Sequence, residues 1–127
     1  MPMLRAPFIN HVGPIYQAIE TAPGEIRLGL RVAEVHSNSM GYMHGGMIAT
    51  LADSCMARAM HSQLQRRSLT LKMSIEYLDA VSRGDFLVAD GRLVAHDDAA
   101  AHTECVLKVG EHIRARASAV FRLLRKR

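Results

Sequence analysis

The segment HGGMIATLADSCMARAMHSQL, residues 44–64, decides the fold of this chain. Its apolar residues recur in pairs every four positions, which is the period of a helix with one buried stripe. The other side carries small residues and one carboxylate, Asp53, where a helix facing water would carry more Lys and Glu. We therefore predict a long helix packed on both sides, the second side against either the sheet or a partner, with Asp53 in the packed zone. The apolar pairs are Met47/Ile48, Leu51/Ala52, Cys55/Met56 and Ala59/Met60.

The sequence on both sides of this helix has the alternating pattern of strands. Apolar residues alternate with polar or small ones from Glu25 to Val35, which predicts a first strand. A polar loop is predicted at 36–41, and the segment 8–19 has no clear pattern. A long helix followed by antiparallel strands predicts an α+β fold in which a curved sheet wraps the helix. The later strands are predicted at 69–78, 86–95, 101–109 and 112–124.

Length and composition favour one small domain. The chain has 127 residues, which suffice for one hydrophobic core, and we expect a single domain over residues 1–127. No stretch approaches the roughly 20 apolar residues of a membrane span, and early prolines interrupt any signal-like segment. We therefore expect a cytoplasmic protein without a membrane partner. Cys55 and Cys105 lack CxxC or metal-ligand spacing and are interpreted as reduced core residues.

Two charged features are interpreted as surface rather than as binding sites. The net charge of +4 lies partly in the tail after Phe121, but the tail lacks the aromatic residues of a nucleic-acid module. We expect no nucleic-acid partner, and the salt dependence of retention on DNA or RNA would test this. His96, Asp97, Asp98 and His102 are metal-ligand types in a predicted hairpin turn, without the spacing of a metal site. We expect no metal and no other cofactor.

The start of the helix carries the residues with the clearest chemistry. Gly45 and Gly46 follow His44 where free backbone N–H groups and the helix dipole favour negative charge, and glycine lets a ligand carbonyl approach. Asp53 lies further along, and burying a carboxylate is costly unless it is paired. Each feature has two interpretations from the residues alone. The glycines are either an oxyanion site or a packed turn, and Asp53 is either catalytic or a structural carboxylate that pairs with an Arg or caps a neighbouring loop.

Four features together resemble the hotdog-fold acyl-CoA thioesterases. They are Asn38, the run His44-Gly45-Gly46, the helix with Asp53, and the strand that contains Thr70. The pattern is most similar to the phenylacetyl-CoA thioesterase (PaaI-like) branch, and the similarity runs from about Glu25 to the end. The resemblance implies a hotdog fold and hydrolysis of an acyl-CoA thioester by a homo-oligomer, either a dimer or a dimer of dimers. It leaves the acyl group open.

The resemblance also implies a role for each residue of the motif. Asp53 matches the general base or nucleophile, Gly45 supplies the N–H that polarises the carbonyl, and Thr70 helps to hold the attacking water. Each site of the family lies across a two-fold interface, with Gly45 from one subunit and Asp53 and Thr70 from the other. Asn38 is the loop asparagine of the catalytic set and comes from the same subunit as Gly45. His44 and Gly46 are expected to bind the substrate.

Several alternatives stay open at this point. Asp53 could activate water, or it could attack the thioester directly and form an anhydride. The chain could also be a non-catalytic acyl-CoA-binding protein or regulator on the same fold, although Asp53 argues against this. A hotdog dehydratase would need a catalytic His in another loop, and no such match is found. Covalent catalysis by Ser54 or Cys55 is disfavoured, because no His is placed to activate either residue.

Overall fold

The computed structural model describes residues 3–125, which contain two α-helices, one 3-10 turn and six strands. The predicted helix and the last four predicted strands are confirmed to within one residue at each end. No helix in this part of the chain combines the length and hydropathy needed to cross a membrane. The elements are α1 (Pro7–Val12), β1 (Tyr16–Gln17), β2 (Glu25–Arg31), the 3-10 turn (Glu34–His36), α2 (Gly45–Leu64), β3 (Ser68–Tyr77), β4 (Phe86–His96), β5 (Ala100–Val109) and β6 (His112–Leu123).

The strands form one antiparallel sheet in the order β1-β2-β4-β5-β6-β3. Helix α2 contacts β2, β3, β4, β5 and β6, so the sheet must curve around it. Register shifts between Thr70 and Lys72 and between Leu93 and Ala95 are bulges that bend strands. The predicted α+β fold, with a sheet wrapped around one long helix, is confirmed.

The sheet-facing side of α2 forms the centre of the core. Its eight buried residues are the apolar pairs of the sequence pattern. The helix packs close to the sheet at Gly91, where a Cβ would lie 2.9 Å from Cys55 Sγ and 3.1 Å from Cys55 O. A larger residue at this position would push the helix away. Cys55 and Cys105 are buried free thiols, as predicted, and the neighbouring Cys55 thiol, together with burial, raises the pKa of Cys105.

Two predictions around the loop before α2 are wrong. The first strand does not reach Val35, because the chain turns after Val32 into the 3-10 turn and leaves Val35 70% exposed. His36, predicted to lie in a polar loop, is buried instead. Its Nδ1 accepts a hydrogen bond from the Ala33 N–H at 2.9 Å, and its Nε2 donates to Val12 O. This side chain therefore ties α1 to the loop that leads into α2.

The segment between β4 and β5 is the hairpin turn that the sequence predicts. Asp97 Oδ1 accepts hydrogen bonds from the N–H groups of Ala99 and Ala100, at 2.8 and 2.9 Å. These bonds, the one from Ala100 first, lower the pKa of Asp97 below its ordinary value. Within residues 3–125, no group of three His, Cys, Asp or Glu side chains is arranged to hold a metal ion.

Candidate active site

The loop before α2 holds the helix N-terminus in place. Asn38 Oδ1 accepts hydrogen bonds from two backbone N–H groups of the loop, at 2.9 and 3.2 Å. His44 is the N-cap of α2, and its Nδ1 accepts a hydrogen bond from the Gly46 N–H at 2.9 Å. Both side chains therefore shape the loop. The substrate contacts expected of His44 and Gly46 stay predictions, and the Gly46 N–H is already engaged within the chain.

Gly45, the first residue of α2, differs from Gly46 in its backbone N–H. Among the described residues, no acceptor receives a hydrogen bond from the Gly45 N–H. Tyr77, at the end of β3, lies against this glycine: its hydroxyl donates to Gly45 O at 2.7 Å, and a Cβ on Gly45 would lie 3.4 Å from the ring. An uncommitted N–H at a helix N-terminus is suited to stabilise an oxyanion. The sequence carries no signal for Tyr77, because its contact with Gly45 depends on how β3 folds back along the helix.

A second group of residues lies further along α2. Thr70 Oγ1, on β3, donates a hydrogen bond to Asp53 Oδ1 at 2.8 Å. Across residues 3–125, no Arg, Lys or His forms an ion pair with Asp53 and no donor reaches its Oδ2, so the structural Asp53–Arg pair is not found. The chain's own sheet does not cover this side of α2, because Asp53 is half-buried and Thr70 is exposed, and packing against a partner stays a prediction.

The two groups lie apart along α2. Gly45 and Asp53 are eight residues apart, which corresponds to about 12 Å along the helix axis. Within residues 3–125, no hydrogen bond joins Asp53 or Thr70 to the residues around Gly45. The structure brings Asn38, His44, Gly45 and Gly46 together, and separately Asp53 and Thr70.

The family model described as Thioesterase superfamily matches residues 40–116. The match covers more than half of the chain and includes His44, Gly45, Asp53 and Thr70. This chain belongs to the thioesterase superfamily. The resemblance to hotdog-fold thioesterases found in the sequence is thereby confirmed.

Two curated proteins show how similar this superfamily member is to its relatives. A Pseudomonas aeruginosa protein that is provisionally named an esterase is 29% identical over 125 residues, covering 96% of this chain and 92% of that protein. Acyl-coenzyme A thioesterase 13 of Mus musculus is 27% identical over 93 residues, covering 72% of this chain and 66% of the mouse protein.

Solved structures confirm the hotdog fold of this thioesterase-superfamily chain. A conserved protein from Pseudomonas aeruginosa superimposes with a TM-score of 0.86 at 25% identity, covering 94% of this chain and 95% of that one. The smu.793 protein of Streptococcus mutans, bound to acetyl CoA, superimposes with a TM-score of 0.82 at 25% identity, covering 89% and 90%.

Proposed function

We propose that the protein hydrolyses acyl-CoA thioesters to a free acid and coenzyme A. The observation that carries the proposal is the 2.8 Å hydrogen bond from Thr70 to Asp53 on the open side of α2. The hydroxyl orients the carboxylate, and the other carboxylate oxygen is left to bind a water molecule. The name of the mouse relative and the acetyl CoA bound to the Streptococcus mutans neighbour support an acyl-CoA substrate.

In the proposed reaction, Asp53 takes a proton from the water molecule while the water oxygen attacks the thioester carbonyl carbon. The carbonyl oxygen becomes negatively charged and accepts a hydrogen bond from the Gly45 N–H, where the helix dipole also stabilises it. The tetrahedral intermediate then breaks its C–S bond and releases the thiolate of coenzyme A, which takes up the proton. A thiol has a pKa of about 8.5, so its thiolate leaves without a dedicated acid.

We further propose that two copies of the chain complete each site, in a dimer or a dimer of dimers. Strand β3 is an edge of the sheet, and it exposes Leu69, Leu71 and Tyr77 to 56%, 60% and 51%. A long apolar edge strand is usually covered, because its unpaired backbone groups promote association. A second copy on this edge would supply a Gly45 to the Asp53 of the first copy. The separation of about 12 Å within one chain would then be no obstacle.

A panel of aromatic and aliphatic acyl-CoA substrates, assayed for release of free thiol, tests the proposal. We expect hydrolysis of at least one substrate and a loss of about a hundredfold or more in Asp53→Asn, since a general base contributes this much. The control Arg122→Met changes an exposed side chain of β6 and should keep the wild-type rate. A wild-type protein inactive on the whole panel would refute the function. Near-normal turnover in folded Asp53→Asn would remove Asp53 from the mechanism.

A further inference from the structure

A cavity of about 430 Å³ lies against α2 and the start of β3, and its lining includes close neighbours of Asp53 and Thr70 but neither of these two residues. One part of the lining is the turn of α2 that follows Asp53, and another is Ser68, which precedes Thr70 by two residues and so shares its face of β3. The helix contributes Ser54, Ala57 and Arg58, and the large apolar residues of the lining are Leu4, Ile9 and Met60.

The polar lining of this cavity is basic. It includes Arg58, His61, Arg66 and Arg67, and within the described part of the chain it includes no Asp or Glu. Arg66 is committed to structure, because its guanidinium donates three hydrogen bonds of 2.9 to 3.1 Å to backbone carbonyl groups. The residues that line the cavity therefore carry an excess of positive charge.

Arg58 is the half-buried cation of this lining that is not committed to the structure. Its side chain is half-buried, and none of the residues 3–125 forms an ion pair or a side-chain hydrogen bond with it. A partly desolvated guanidinium gains most from a carboxylate or phosphate, which it can bind through two parallel hydrogen bonds. The cavity is thus suited to a ligand with an apolar body and an anionic end.

The position of Arg58 on the helix identifies which part of the substrate it would meet. Arg58 follows Asp53 by five residues, about 7.5 Å along the helix axis and about 140° around it. A short acyl chain and the long side chain of Arg58 together span such a separation from the reacting carbonyl. The phosphates of coenzyme A lie at the end of the long pantetheine arm, and an extended arm carries them well beyond this cation. The apolar side of the cavity also fits methylene groups better than a nucleotide.

We propose that this cavity binds the acyl group and that Arg58 pairs with a carboxylate at its far end. The protein then prefers acyl-CoA substrates derived from dicarboxylic acids over neutral acyl-CoA substrates of the same length. This inference rests on the proposed thioesterase function and specifies its substrate class. Arg58 acts here as a specificity residue, since it contacts the end of the acyl group and leaves the reacting carbonyl to Asp53 and Gly45.

Adipoyl-CoA and hexanoyl-CoA test the preference, because their acyl chains have the same length and differ in the terminal carboxylate. The kcat/KM for both is measured in wild type, Arg58→Met, Arg58→Lys and the exposed control Arg122→Met. We expect Arg58→Met to lower the adipoyl-to-hexanoyl ratio by about tenfold or more, since a charge-assisted contact is lost. Arg58→Lys should keep part of the ratio, and Arg122→Met should keep all of it.

Each other outcome overturns the inference in a recognisable way. An unchanged ratio in folded Arg58→Met removes Arg58 from acyl recognition. An equal rise in KM for both substrates assigns Arg58 to coenzyme A instead. A wild-type protein that hydrolyses other acyl-CoA substrates but neither of this pair contradicts the inference while the proposed function stands. A wild-type protein that hydrolyses no thioester at all contradicts the proposed function, and the inference fails with it.

Discussion

The two sides of α2 differ in how far one chain completes them. On the sheet-facing side, Leu51, Cys55 and Met56 have no exposed surface. On the other side Asp53 and Ala57 are half-buried, although this side has few of the charged residues that a helix facing water carries. The chain's own sheet completes the inner side. The outer side is suited to contacts that one chain does not supply, and we propose that a second copy and the substrate supply them.

The largest expected effect tests whether the outer side needs a second copy. Asn38→Ala and Asp53→Ala should each be nearly inactive, but mixing them with subunit exchange should restore activity. A mixed dimer would contain one intact site and one site with both changes. With random pairing about half of the dimers are mixed and half of their sites are intact, so recovery should approach about a quarter of the wild-type rate.

Asp53→Ala mixed with Asp53→Asn is the matched control for this experiment. Both changes affect the same half of the site, so no pairing creates an intact site and no recovery is expected. Subunit exchange is verified by native mass spectrometry. If exchange occurs without recovery in the Asn38→Ala mixture, the site lies within one chain or Asn38 has no catalytic part.

The inner side is tested by truncation of a buried residue. Met56→Ala should lower the free energy of unfolding by about 2–5 kcal/mol, because it leaves a cavity between α2 and the sheet. Ser54→Ala changes the opposite side and should alter stability by less than about 0.5 kcal/mol. Urea unfolding of both variants measures the difference. Similar losses in the two variants would show that the outer side is packed as tightly as the core.

The pH dependence of stability tests the burial of Cys105 on the inner side. The neighbouring Cys55 thiol and burial raise the pKa of the Cys105 thiol above its ordinary value of 9.0. The unfolded chain therefore loses this proton at lower pH than the folded protein does. The stabilisation of the folded protein by the protonated Cys105 thiol is complete below the ordinary pKa. Above that pKa it is lost by about 1.4 kcal/mol per pH unit for one group.

Urea unfolding of wild type and Cys105→Ala, from neutral pH to about pH 10, measures this contribution. The difference in unfolding free energy between the two proteins should shrink as the pH rises past the ordinary pKa of a thiol. A difference independent of pH would mean that Cys105 ionises in the folded protein as readily as in the unfolded chain.

Periodicity predicted α2 and the strands β4, β5 and β6 because each of them buries one side, and it failed where contacts are distant. The pattern of α2 and the alternation that places Phe121 in the core are local properties of the chain. Val32 and Val35 are equally apolar, so the sequence does not indicate that the strand ends between them. The burial of His36 depends on Val12, which is 24 residues away. A single-domain organisation and a cytoplasmic location stay predictions.

The residues of the candidate site were also predictable only where the signal is local in the sequence. Gly45 and Asp53 could be selected because glycines precede the helix and a carboxylate interrupts a side of small residues. Thr70 came from the family resemblance, since its hydrogen bond to Asp53 requires β3 to run back along α2. Tyr77 and Arg58 could not be selected. The contact of Tyr77 with Gly45 and the cavity beside Arg58 exist only after the strand, the helix and the N-terminal segment have packed together.

The smallest expected effect distinguishes the role of Thr70 from that of Asp53. Thr70→Ala removes a hydroxyl that we propose orients Asp53, and a water molecule can partly replace that hydroxyl, so kcat should fall by less than about tenfold. KM and the free energy of unfolding should stay near wild type, and Thr70→Ser, which keeps the hydroxyl, should restore kcat. Steady-state kinetics with the best substrate of the panel measure these values. An unchanged kcat in Thr70→Ala would leave Asp53 to hold the water alone. A loss as large as that of Asp53→Asn would mean that the hydroxyl takes part in the proton transfer itself.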